Sequence, residues 1–149
     1  MTSRELFEKG IAFLRENNTL GALACFEKAY AIEKLPELKS YLGFCVADQR
    51  GRIAEALTLC NDAIAEEPQN AVHYLNLAKV YLKAERKVDA LEILRKGISF
   101  GDNTEIRNLL ENLGDRRKLL FPFLPRRHFL NKFSGLILHR IKTSIGLKT

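Results

Sequence analysis

Residues 74–97 read Tyr74-Leu75-Asn76-Leu77-Ala78-Lys79-Val80-Tyr81-Leu82-Lys83-Ala84-Glu85-Arg86-Lys87-Val88-Asp89-Ala90-Leu91-Glu92-Ile93-Leu94-Arg95-Lys96-Gly97. Apolar residues recur at helical spacing on both sides of the polar run Glu85-Arg86-Lys87, which predicts two helices joined by a tight turn. The same arrangement returns upstream at intervals of 34 residues. Ala22, Ala56 and Ala90 form one column, Ala29, Ala63 and Gly97 a second, and Phe26, Cys60 and Leu94 a third. A fixed period of that length is the mark of a repeat architecture, in which each unit is one supersecondary element.

A partner helix precedes each of these columns. Gly10, Gly43 and Ala78 lie near its middle, each followed three residues later by a larger side chain, Phe13, Val46 and Tyr81. Turn signals separate the paired helices at Asn17-Asn18, Arg50-Gly51-Arg52 and Glu85-Arg86-Lys87. Pro36 and Pro68 fall near the ends of the first two units, where a ring without an N–H donor stops a helix. Thr2 with Glu5, and Asp102 with Glu105, have the spacing of a helix cap and its reciprocal partner. The second unit departs from the others. Gly43 to Ala56 is 13 residues, whereas Gly10 to Ala22 and Ala78 to Ala90 are 12. The extra residue is expected at the turn around residues 48–51, with the following helix left in register.

This pattern resembles the tetratricopeptide repeat. Tyr74, Leu77, Ala78, Tyr81, Ala90, Leu94 and Gly97 follow the family order most fully, and Leu6, Gly10, Phe13, Ala22, Phe26 and Ala29 follow it in the first unit. That unit ends in Lys34 where the family favours proline. The resemblance covers roughly residues 3–104. It implies an all-α chain, an α-solenoid of three antiparallel helix pairs wound as a right-handed superhelix, with repeats at about 3–35, 36–70 and 71–104. A helix at about 104–113 would cap the last pair, so that residues 1–114 form the array. Residues 115–149 would be a basic, proline-containing tail carrying an amphipathic helix. The small positions Gly10, Ala22, Ala29, Gly43, Ala56, Ala63, Ala78, Ala90 and Gly97 have a structural role, because helices that cross at short distance leave no room for larger side chains. A single unit cannot hide its apolar faces, so several must stack.

Within the family the first helix of each pair lines a concave groove that takes an extended peptide or a helix. By family position the groove here would be lined by Phe7, Ile11, Leu14, Arg15, Ser40, Phe44, Leu75, Lys79, Leu82 and Lys83. This surface is mostly apolar with a basic edge. Some members hold the C-terminal carboxylate of heat-shock chaperones through Lys, Asn and Arg side chains in the groove. The matching positions here are Phe7, Ile11, Tyr41, Val72 and Asn76, and none is of the type needed, so that clamp is not expected.

Charge divides the chain. Residues 1–114 carry 15 Lys/Arg against 17 Asp/Glu, while residues 115–149 carry 9 against 1, so the net excess of +6 comes wholly from the tail. Phe129, Phe133, Ile137 and Ile141 recur every fourth residue, opposite Lys132, His139 and Arg140. Three roles suit such a tail: folding back to cap or fill the array, lying on an anionic membrane surface, or docking a partner. Its contact residues would be Arg116, Arg117, Arg126, Arg127, Lys132 and Arg140. No nucleic-acid reader motif is present, and a basic tail by itself gives only sequence-independent affinity. The start Met1-Thr2-Ser3-Arg4-Glu5 leads into no apolar core of signal-peptide length, so the expected location is cytoplasmic or peripheral to the inner face of the membrane.

Cys25, Cys45 and Cys60 are odd in number, far apart and each within a helix, so buried structural thiols are expected rather than disulfides or zinc ligands. His73, His128 and His139 have no Cys, Asp or Glu neighbours at motif spacing, and no glycine-rich phosphate loop occurs. His73 is expected to be exposed at the start of its helix. These features predict no catalytic residues, no metal, no cofactor and no small-molecule substrate. The expected partner is a protein or peptide, the chain serving as an adaptor or scaffold, with a membrane-associated assembly factor as the other reading.

Overall fold

A computed structural model describes residues 1–114. They form seven helices: α1 Ser3–Arg15, α2 Thr19–Ile32, α3 Pro36–Arg50, α4 Ile53–Glu66, α5 Ala71–Lys83, α6 Lys87–Ile98 and α7 Thr104–Gly114. No strand occurs among the described residues. Residues 115–149, where the sequence predicts an amphipathic helix and six contact residues, lie outside the described residues.

Local chemistry fixes where the helices begin and turn. The Thr2 hydroxyl accepts from the Glu5 backbone N–H at 3.2 Å, and the Glu5 carboxylate accepts from the Thr2 N–H at 2.7 Å, which closes the box read from the sequence. Pro36 opens α3, where its missing N–H costs nothing. At α7 the cap is not Asp102. The Asn103 side chain accepts from the Ile106 N–H at 3.0 Å, while Asp102 pairs with Arg107.

All three turns within pairs contain a left-handed residue: Asn17 (φ 57°), Gly51 (φ 63°) and Glu85 (φ 59°). Each stands five residues before its column alanine, Ala22, Ala56 or Ala90. The segment from this turn residue onward is therefore identical in length in every unit. The additional residue of the second unit lies upstream, and it is helical: α3 runs 15 residues, and only Gly51 and Arg52 separate it from α4. Residues 48–50 thus extend the helix rather than lengthen the turn. A helix absorbs one more hydrogen-bonded residue more readily than a tight turn absorbs a loop.

The small positions are where the helices touch. Ala22, Ala29, Ala56, Ala63, Ala78 and Ala90 are each 0% exposed. A Cβ added to Gly10 would stand 2.5 Å from the Phe26 ring, and one added to Gly43 would stand 2.9 Å from the Ala56 carbonyl oxygen and 2.8 Å from Cys60 Sγ. At Gly97 it would meet Tyr74 Cβ at 2.8 Å. The helices of each pair pack on one another, α2 packs on α3, α4 on α5, and α7 on α6. The α3 and α5 backbones also pack directly. By contrast α1 meets α3 through aromatic rings, with Phe7 and Tyr41 5.5 Å apart at 69° and both close to Phe26.

Three linked cores result. Leu6, Phe26, Leu38 and Val46 anchor the first, Cys60, Leu77 and Val80 the second, and Leu75, Leu94 and Ile106 the third. Ile106 brings α7 onto the last pair, as a cap should. The three cysteines are buried and unpaired. Burial pushes the Cys45 and Cys60 thiols up to about 12, so they behave as apolar side chains.

Candidate functional site

The facing surfaces of α1, α3, α5 and α7 are joined into one side of the array by contacts that cross from helix to helix. Phe7 reaches Tyr41. Lys79 Nζ lies 5.2 Å above the centre of the Phe44 ring and 2.6 Å from Glu105 Oε1. Lys83 pairs with Asp48. These contacts place residues from four separate helices side by side.

The residues read as groove-lining divide by depth. Phe7, Ile11, Leu14, Phe44, Lys79 and Leu82 are half-buried, which leaves part of each apolar side chain open to a ligand. Arg15 and Lys83 stand exposed at one edge. Two residues belong to the interior instead. Leu75 is 4% exposed and packs with Leu94 and Ile106, and Ser40 is 0% exposed. Ser40 is covered where α3 packs on α5, and Leu75 where α6 and α7 close over α5.

Tyr41, which family position gave only as a clamp position of the wrong type, belongs to this lining. It lies between Phe7 and Phe26, half-buried, and its hydroxyl is pushed up to about 12, by burial first and then by Glu37 and Glu105, with Arg15 opposing. It therefore remains a neutral hydrogen-bonding group on an aromatic floor. Its signal in the sequence was its neighbourhood, one residue after the small Ser40 and three before Phe44.

The lysines at this surface are already engaged. Lys79 has Glu105 and the Phe44 ring, and Lys83 has Asp48. Burial works to raise the Asp48 pKa, but hydrogen bonds involving Lys83 and Gln49 outweigh it and hold the carboxyl below its usual range. An acidic ligand would compete with Glu105 and Asp48 for these cations. At the clamp positions Phe7, Ile11 and Tyr41 form the apolar floor, Val72 is half-buried and Asn76 is 0% exposed. A carboxylate would meet none of the cations that such a clamp needs.

His73 corrects an expectation. It is 0% exposed, not solvated, and sits between Ser40 and Glu67. Serine, histidine and carboxylate in a row suggest a hydrolytic triad, but Ser40 and His73 are both shielded from solvent, so no substrate reaches them. Among the described residues no group of His, Cys, Asp and Glu side chains is arranged to hold a metal, and no helix is long and apolar enough to cross a membrane.

The profile of the tetratricopeptide repeat matches residues 49–113, which take in the second turn, the third helix pair and α7. Solved structures extend the likeness across the array. The first repeat domain of Spaghetti (RPAP3), bound to the HSP90 peptide SRMEEVD, superposes with a TM-score of 0.60 at 18% identity, covering 76% of this chain and 94% of that one. The Sgt2 repeat domain from Aspergillus fumigatus gives 0.61 at 19% identity, with 76% and 78% covered. The TPR2B domain of yeast Sti1, in complex with an Hsp70 peptide, gives 0.59 at 18% identity, with 77% and 98% covered. No curated protein matches the sequence. Residues 49–113 thus match the tetratricopeptide repeat, and three helix pairs stacked through small residues at a 34-residue period, with a seventh helix on the last pair, share the fold of these solved repeat domains.

Proposed function

We propose that the chain is a protein-interaction module, an adaptor or scaffold that holds a peptide or helix against the faces of α1, α3 and α5. The observation that carries this reading is the set of half-buried residues Phe7, Ile11, Leu14, Tyr41 and Phe44 packed on the first core, with Leu82 on the third, each only partly covered. Large apolar strips of this kind mark interaction sites. The structural relatives whose names record a bound peptide support the same mode of use.

The chemistry of the surface selects the ligand. With Lys79 and Lys83 engaged by Glu105 and Asp48, the energy available comes from apolar burial, roughly 25 cal/mol per Å². The ligand is therefore a segment presenting an apolar face, such as an amphipathic helix, and not an acidic chain terminus. Two measurements test this. Phe44→Glu combined with Leu82→Glu should weaken binding of a captured partner more than tenfold while the thermal midpoint of the full chain is kept. An undiminished affinity would place the partner elsewhere. The peptide SRMEEVD should bind no better with a free carboxylate than as its C-terminal amide, and a strong preference for the free acid would overturn the ligand class.

A further inference from the structure

The strip on α1, α3 and α5 and the sequence of residues 129–142 are matched in chemistry. Phe129, Phe133, Ile137 and Ile141 recur every fourth residue, a spacing that puts four large apolar side chains on one side of a helix, with Lys132, His139 and Arg140 opposite. Burying that side against another apolar surface is favourable. The strip offers one in Phe7, Ile11, Leu14, Tyr41, Phe44 and Leu82, all half-buried.

Length and charge agree with that pairing. A helix over 129–142 would be about 21 Å long at 1.5 Å per residue. Three neighbouring helices such as α1, α3 and α5, spaced by roughly 10 Å, span about 20 Å. Residues 115–128 join the segment to Gly114, the last residue of α7, which packs on α6. That stretch of chain can reach at most about 50 Å, whereas α1 lies three helix spacings from α7, about 30 Å. Residues 1–114 carry 15 Lys/Arg against 17 Asp/Glu, and residues 115–149 carry 9 against 1. At the strip itself Glu105 and Asp48 already neutralise Lys79 and Lys83, so these lysines do little to repel a basic segment. Glu37, half-buried beside Tyr41, adds a negative charge, which Arg15 at the edge opposes.

We propose that residues 129–142 are the resident occupant of the strip, the chain's own basic amphipathic segment held in cis where an outside ligand would bind. This rests on the strip being a binding surface, as proposed above, and adds its regulation. A joined segment acts at an effective concentration on the order of millimolar. An outside helix therefore binds by displacing it, and its apparent affinity falls with the fraction of time that the strip is taken.

The test uses the full chain and a fluorescent synthetic peptide of residues 126–144, with binding read by anisotropy. Phe133→Glu combined with Ile137→Glu spoils the attached segment without touching the array. That variant should bind the peptide at least tenfold more tightly than the unaltered chain, and adding Phe44→Glu and Leu82→Glu should abolish the gain. Should the fourfold variant fail to fold, Leu14→Glu on α1 serves in their place. Equal affinity in the two chains overturns the proposal, and so does a gain that survives the strip substitutions. Sedimentation at the same concentration should show the unaltered chain as a monomer. A dimer that dissolves in Phe133→Glu with Ile137→Glu overturns the arrangement in cis, because a second copy then holds the segment. Should the peptide bind neither chain while a captured partner still depends on Phe44 and Leu82, the occupant is wrong and the strip stands as a binding surface.

Discussion

Glu85 occupies a left-handed turn conformation, φ 59°, that glycine adopts freely and other L-residues adopt at a cost of about 1–2 kcal/mol. At the equivalent place in the second unit stands Gly51, φ 63°, with open space where a side chain would begin. Replacing Glu85 by glycine should therefore stabilise the chain, by about 0.5–1 kcal/mol after the extra unfolded-state freedom of glycine is counted. Urea unfolding followed by circular dichroism measures it, and a loss of stability would mean that the Glu85 side chain contributes more than its backbone costs. Gly43 is the opposite case. Its neighbour is the Ala56 carbonyl oxygen, backbone that cannot rotate aside, so Gly43→Val should cost about 1–3 kcal/mol in the same measurement. Both positions were visible in the sequence as small or turn residues. Their difference, one limited by conformation and the other by space, needed coordinates.

The end of α4 is the element whose behaviour changes with acid. Hydrogen bonds with Asn70 and then His73 depress the Glu67 pKa in the folded chain. A depressed folded value means that the contribution is present above the unfolded carboxylate value and is lost as pH falls through the folded one. Glu67→Gln should thus flatten the acid limb of the stability curve below about pH 4.5, and thermal melts across roughly pH 3–6 check it. An acid limb of unchanged steepness would show that Glu67 does not link folding to protons. Little of this was legible beforehand. A histidine three residues into a helix reads as solvated, and its burial follows from the direct packing of α3 on α5. The turn of the second unit taught the same lesson: the additional residue could be counted in the sequence, but only the observed length of α3 showed that it had become helical.

Across the whole array each pair touches only its neighbours, so damage at one end should spread from that end. Ile106 of α7 is fully buried against the last pair, and Ile106→Ala should cost about 2–5 kcal/mol. Native-state hydrogen exchange should then show faster opening of α5 and α6, while α1 and α2 stay protected; uniform acceleration would mean that the array opens as one unit. Six half-buried apolar or aromatic residues form the strip, and the repeat register named five of them as groove-lining and Tyr41 as a position of the missing clamp. The sequence by itself determined the number of pairs, the 34-residue period and the crossings at Ala22, Ala56 and Ala90, because contact between backbones demands small residues at fixed spacing whatever surrounds them. Only the tertiary structure decided which facing residues stay open, sending Leu75 and Ser40 inward, adding Tyr41 to the floor and enclosing His73. Exposure depends on how closely two particular helices approach, and that distance is set by all the side chains between them together.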